Sequence, residues 1–132
     1  MAHDAAREWL EVAVMDLRAA RNCLHGPEPT PRVAAYHCQQ AAEKLAKAVL
    51  VAAGIQPPRS HNIAVLVDLL PADHQMRRAL SELEPLTVFA VAYRYPMGDI
   101  LATPPEPTLE QLERWTGLIE RARAAVERML GT

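Results

Sequence analysis

With 132 residues, half of them hydrophobic, the chain has the size of one domain with a core of its own, and a single helical domain over residues 1–132 is expected. Aromatic residues make up only 5% while Ala, Leu and Val abound, a balance that suits close helix packing and argues against a β-sandwich. The 14 basic and 16 acidic side chains leave a net charge of -2, so no overall positive field gathers nucleic acid; any RNA or nucleotide contact must be local, and DNA binding is not expected.

The first helix is predicted from about Asp4 to Leu24, where Ala6, Leu10, Ala13, Leu17, Ala20 and Leu24 recur at alternating four- and three-residue steps. Asp4 can cap its start, and Gly26-Pro27-Glu28-Pro29 ends it by removing donors and fixing φ. A second helix opens with Thr30 as N-cap and Pro31 at its first position, and stops near Gly54. Its alanine-rich seam, Ala34, Cys38, Ala41, Leu45, Ala48 and Ala52, lets neighbouring helices come close. Ser60 is the expected cap of a short third helix carrying Ile63, Leu66, Val67 and Leu70. A fourth is predicted from Asp73 to about Tyr95, bent between Ser81 and Pro85. After a proline-rich loop, Thr108 and Gln111 form a capping box for a last helix with the stripe Leu112, Trp115, Ile119, Ala122, Val126 and Met129. The expected fold is all-α, an up-and-down antiparallel bundle of four to five helices.

No apolar run approaches the roughly 20 residues that cross a bilayer, so no membrane role is expected. The segment MAHDAAREWL lacks the apolar core of a signal peptide, and Cys23 and Cys38 form no CxxC pair; a cytoplasmic location is the expectation. His3, His25, His37, His61 and His74 stand at no metal-ligand spacing from one another or from a cysteine on a shared face, so no metal is expected. Cys38 sits on the alanine seam, where a thiol is inert packing, and no GxSxG elbow or phosphate-binding glycine loop is present. No cofactor is expected.

Two places carry concentrated polar chemistry. On the second helix Tyr36, Gln40, Glu43 and Lys47 follow at four, three and four residues, with His37 and Lys44 alongside. Such a row lines a groove, or else is a solvated face held by a Glu43–Lys47 pair worth about 0.3–0.5 kcal/mol. The second place is Tyr93-Arg94-Tyr95-Pro96. There Arg94 can direct a fork of donors at phosphate or a base while the rings stack, or can cover the helix end while the tyrosines finish the core.

Tyr36, His37, Gln39, Gln40, Ala41, Glu43, Lys44, Lys47, Ala48 and Leu50, followed by Ser60-His61-Asn62, Leu66, Leu69 and then Arg94-Tyr95-Pro96, together resemble the HEPN domain. The resemblance runs from Asp16-Leu17 and Ala20 in the first helix to Ala122 in the last. It implies a small helical bundle, commonly a homodimer, encoded beside a minimal nucleotidyltransferase in a pair resembling a toxin–antitoxin module. Many members are metal-independent ribonucleases that use an Arg and, after four to six intervening residues, a His, brought together across the dimer. Arg94 occupies the matching region here, but Tyr95 to Leu101 contain no His. Arg32 and His37 have the spacing but lie at the start of the second helix, where the family motif is not expected.

Metal-free RNA cleavage requires a group that takes the 2′-OH proton and a cation that steadies the phosphorane-like charge. Three functional readings follow. The first is a non-catalytic nucleotide- or RNA-associated module, dimeric and partnered by a nucleotidyltransferase. The second is a metal-independent ribonuclease toxin with a displaced pair, Arg94 with His37 or His61. The third is a helical scaffold without ligand. Candidate binding residues are Arg94, Tyr95, Tyr36, Gln40, Glu43, Lys44 and Lys47.

Overall fold

The computed structural model describes residues 2–90 and 105–131. Helix α1 spans Ala2–His25, α2 Pro31–Ala52, α3 Ile63–Asp68, α4 Arg77–Ser81 and α5 Leu109–Leu130, with a 3-10 helix at Glu84–Phe89 between α4 and α5. No strand occurs among the described residues. Arg94, Tyr95 and the predicted end of the fourth helix lie outside them.

Three long helices make the body, and α2 is at its centre. The α1 stripe Ala6, Leu10, Ala13, Leu17, Ala20 and Leu24 is buried throughout, as its spacing requires. On α2 the alanine seam is buried up to its last member, Ala52, which is half-buried, and so are the positions beside it: the buried set is Ala34, Ala35, Cys38, Ala41, Ala42, Leu45, Ala46, Ala48 and Val49. Burial all round makes α2 the core helix, and its alanines let α1 and α5 approach its backbone. On α5 the stripe is rotated slightly from the expected one: Thr116 and Leu130 are buried, while Trp115 and Met129 pack half-buried at its edge. The long helices run up and down. Arg7 donates to the Leu130 carbonyl at 2.7 Å and His25 meets Glu113 at 3.2 Å, which sets α1 antiparallel to α5.

The helix ends follow local chemistry, with four departures from expectation. α1 already begins at Ala2, so Asp4 lies within its first turn, where its charge suits the helix N-terminus, and is not its cap. Thr30 precedes Pro31, but its side chain makes no capping bond; its backbone N–H instead donates to the Cys23 carbonyl at 3.0 Å and closes the connection to α1. Asn62, not Ser60, caps α3: its Oδ1 accepts from the Val65 N–H at 3.3 Å, while Ser60 Oγ accepts from the Asn62 N–H at 3.1 Å. The fourth helix is split more deeply than a bend. α4 ends at Ser81 and the chain continues as 3-10 helix, because Pro85 has no N–H for the Ser81 carbonyl and its ring crowds that turn. Upstream, Asp73–Met76 form a turn in which His74 Nδ1 accepts from the Met76 N–H at 3.0 Å.

The other stops are as read. At the end of α2 the Gly54 N–H reaches Val51 O at 3.0 Å and the Ile55 N–H reaches Leu50 O at 2.9 Å, a Schellman pair that needs the left-handed φ of 78° at Gly54. The capping box of α5 is complete: Gln111 N–H to Thr108 Oγ1 at 3.0 Å and Thr108 N–H to Gln111 Oε1 at 2.9 Å.

Candidate functional site

Helix α2 carries a polar row into the core. Positions 36, 40, 43 and 47 share one side of a helix with 3.6 residues per turn, and Gln39 stands beside Glu43 one turn back. The expected Glu43–Lys47 pair forms, Nζ to Oε2 at 2.8 Å, but not on a solvated face. Glu43 is 3% exposed, Gln39 fully buried, and Gln40 and Lys47 each 8% exposed. The row is covered because α2 is packed by α1 on one side and approached by the chain after it on the other.

Glu43 is the hub. Its carboxylate accepts from Lys47 Nζ, from Gln39 Nε2 at 3.1 Å and at the His61 Nδ1 contact of 2.9 Å. Gln39 Nε2 also donates to the His61 carbonyl at 3.2 Å, and Gln40 Nε2 donates to Gln39 Oε1 at 2.7 Å. Buried polar groups are tolerated only when partnered in this way. Burial pushes the Glu43 carboxyl up, but hydrogen bonds from Lys47, His61 and Gln39 outweigh it and hold the group below its ordinary value. An ionised carboxylate can only accept, so His61 presents Nδ1–H to Glu43 and keeps Nε2 out of that bond. The imidazole itself is 68% exposed.

A second cluster lies where α1 crosses the first half of α2. Asp16 receives His37 Nδ1 at 3.0 Å and Lys44 Nζ at 2.8 Å; these α2 residues are two turns apart on one stripe. All three side chains are largely covered, and the Tyr36 ring stands edge-on to His37 at 5.3 Å. The sequence-predicted set therefore divides: Gln40, Glu43 and Lys47 join His61 in one network, while Lys44 and His37 join Asp16 in another. The partners Asp16 and Gln39 stood out in the sequence only through the family resemblance. Trp9, whose ring centroid is 5.4 Å from Lys47 Nζ, was not singled out, although an aromatic on the flank of a helix stripe is the available signal.

Beside Lys47 and Trp9 a cleft of about 470 Å³ opens towards the loop after α2, walled by Val51, Pro57, Pro58 and Arg59. Among the described residues, no group of three or more His, Cys, Asp or Glu is placed to hold a metal ion. Burial drives the Cys38 thiol up to about 12, with Cys23 adding to the effect, which leaves it a packed thiol and not a nucleophile. No described helix is long and apolar enough to cross a membrane.

Comparison with known proteins places these elements in context. The HEPN domain family model matches residues 6–129. The crystal structure of TT1696 from Thermus thermophilus superposes with a TM-score of 0.66 at 28% identity, covering 93% of this chain and 96% of that one. The crystal structure of ST0689, an archaeal HEPN homologue, gives 0.66 at 22% identity over 95% and 97%, a likeness of fold. No curated protein matches the sequence. The family match extends from the first buried residue of α1 into the last turn of α5, across both polar clusters of α2, and the chain is a member of the HEPN domain family.

Proposed function

We propose that this protein is a non-catalytic HEPN subunit that associates with a nucleotide or RNA, forms a homodimer and acts beside a separate nucleotidyltransferase in a toxin–antitoxin-like module. The observation that carries the reading is chemical: no His follows Arg94 between Tyr95 and Leu101, so the proton acceptor that the ribonuclease members place there is missing. His37 supports the same reading, since its Nδ1 is held by Asp16 of its own subunit and its ring is largely covered. Lys44 and Lys47 are each paired to a carboxylate, Asp16 and Glu43, but an ammonium has three donors and each keeps N–H groups that can meet a phosphate oxygen. Exposed Val12 and Met15 on α1 give an apolar edge that suits a two-fold partner.

One observation favours the ribonuclease reading. A carboxylate that holds Nδ1–H of an exposed imidazole leaves Nε2 to exchange protons, and Glu43 with His61 has that arrangement. The two readings part in one experiment: metal-free incubation of the folded dimer with total RNA, beside Arg94→Ala, His37→Ala and His61→Ala variants. Absence of cleavage above background supports the partner module, and co-purification with the co-expressed nucleotidyltransferase then tests the partnership. Cleavage that disappears in Arg94→Ala and in a histidine variant overturns the non-catalytic reading.

A further inference from the structure

We infer that the cleft between the start of α1 and the loop after α2 binds one nucleoside phosphate, with Arg59 and Lys47 on its phosphate and Trp9, Val51 and Pro57-Pro58 against its base and sugar. The inference rests on the nucleotide-associated reading above and names a site for it apart from Arg94.

The cleft is built by the end of α2. The Schellman turn at Gly54 sends the chain back past Val51, and Pro57 and Pro58 stiffen the returning segment because both φ angles are fixed. The Ser60 N–H then donates to the Pro58 carbonyl at 2.9 Å, closing a tight turn that contains Arg59. Arg59 is thereby held at its backbone while its side chain is exposed, and no carboxylate lines the cleft. A guanidinium placed this way matches phosphate oxygens with two parallel donors.

Lys47 contributes differently. Its ammonium has three donors, of which Glu43 takes one at 2.8 Å, and it also lines the cleft. Because Glu43 stands behind Lys47 and neutralises much of its charge, Arg59 supplies the uncompensated positive charge that selects an anion. The remaining walls are mostly apolar, the half-buried indole of Trp9, Ala5, Val51 and two proline rings, with Gln56 as their polar member. A volume of about 470 Å³ lies within the roughly 300–1,000 Å³ of small-ligand sites. A cationic end and an apolar, partly aromatic wall in one cleft of this size fit a nucleoside phosphate better than a bare phosphate or a sugar phosphate, which leave the apolar wall uncovered.

The test is calorimetric titration of the full chain with ATP, and separately with a short single-stranded oligouridylate, for the wild type, Arg59→Glu and Arg59→Lys. Thermal unfolding checks that each variant is folded, which is expected for an exposed loop position. The expected result is binding of ATP to the wild type, weakened at least about tenfold in Arg59→Glu and largely retained in Arg59→Lys. Binding of the oligonucleotide alone, with the same Arg59 dependence, also supports the site and identifies RNA as the source of the nucleoside phosphate. In a Trp115→Phe background, Trp9 is the remaining indole and its emission should change on saturation. Unchanged affinity in Arg59→Glu overturns this site while leaving the nucleotide-associated reading standing. If neither probe binds the wild type, that reading fails and the inference with it.

Discussion

Replacing Lys47 by Met keeps most of the aliphatic stem and removes the ammonium, together with its contact over the Trp9 ring at 5.4 Å. The carboxylate left behind, Glu43, is 3% exposed and retains two neutral donors, Gln39 Nε2 and His61 Nδ1–H. Removing one partner of a buried ion pair costs about 3–5 kcal/mol. His61 is 68% exposed and admits water to one side of the carboxylate, so the lower end, about 3 kcal/mol at pH 7, applies here. That corresponds to a fall in Tm on the order of 10 °C for a domain of this size.

The pH dependence carries its own signature. In the wild type the Glu43 carboxyl is held below its ordinary value, so it contributes stability above about pH 4.5 that is lost as the pH falls through the folded value. Without Lys47 the chief opposing influence is gone, and burial, opposed only by His61 and Gln39, shifts the carboxyl upward from its wild-type position. Its penalty is then largest at neutral pH and recedes as the pH falls and the group protonates. Denaturant unfolding followed by far-UV circular dichroism, at neutral pH and near pH 4.5, should show a wide gap between the two proteins that narrows in acid. The double variant Lys47→Met with Glu43→Gln should recover part of the loss at neutral pH. A deficit below about 1 kcal/mol, the scale of an exposed pair, or one that does not change with pH, would refute the hub role assigned to Glu43.

Two further outcomes test the local chemistry. Thr108→Ala removes one half of the α5 capping box and should destabilise the domain by about 1 kcal/mol in the same unfolding experiment, with Thr108→Asn close to neutral. The Cys38 thiol, driven up to about 12 by burial, should resist a thiol-specific chromogenic reagent at pH 8 until the chain is unfolded, whereas half-buried Cys23 should react in the native state.

Much of the fold was legible because its signals are short-range. The α1 stripe is a period within one helix, Pro31 lacks the N–H that the head of α2 would leave unpaired, and the Gly54 stop and the Thr108–Gln111 box satisfy backbone groups within a few residues, so a window of the sequence contains each signal. The exceptions share a cause. Ser60 and Asn62 are both competent caps two residues apart, and the choice depended on where α3 begins once Ile63, whose N–H reaches Thr87 Oγ1 at 3.1 Å, is docked. Pro85 announced an interruption, but the geometry that follows is set by Leu86 and Phe89 reaching the core from a 3-10 turn.

For the candidate site, the sequence by itself determined the residue types, the periodic alignment of Gln40, Glu43 and Lys47, and the family to which they belong. It also determined the absence of a histidine between Tyr95 and Leu101. Only the tertiary structure decided that this row is buried, that Glu43 gathers His61 from 18 residues away, that Asp16 joins His37 to Lys44, and that Trp9 and Arg59 meet across one cleft. Periodicity states which residues share a face, but whether that face meets water or protein is fixed by neighbours distant in the chain. Their burial changes the cost of removing one member of a Glu–Lys pair from a few tenths of a kcal/mol at a surface to several in the interior.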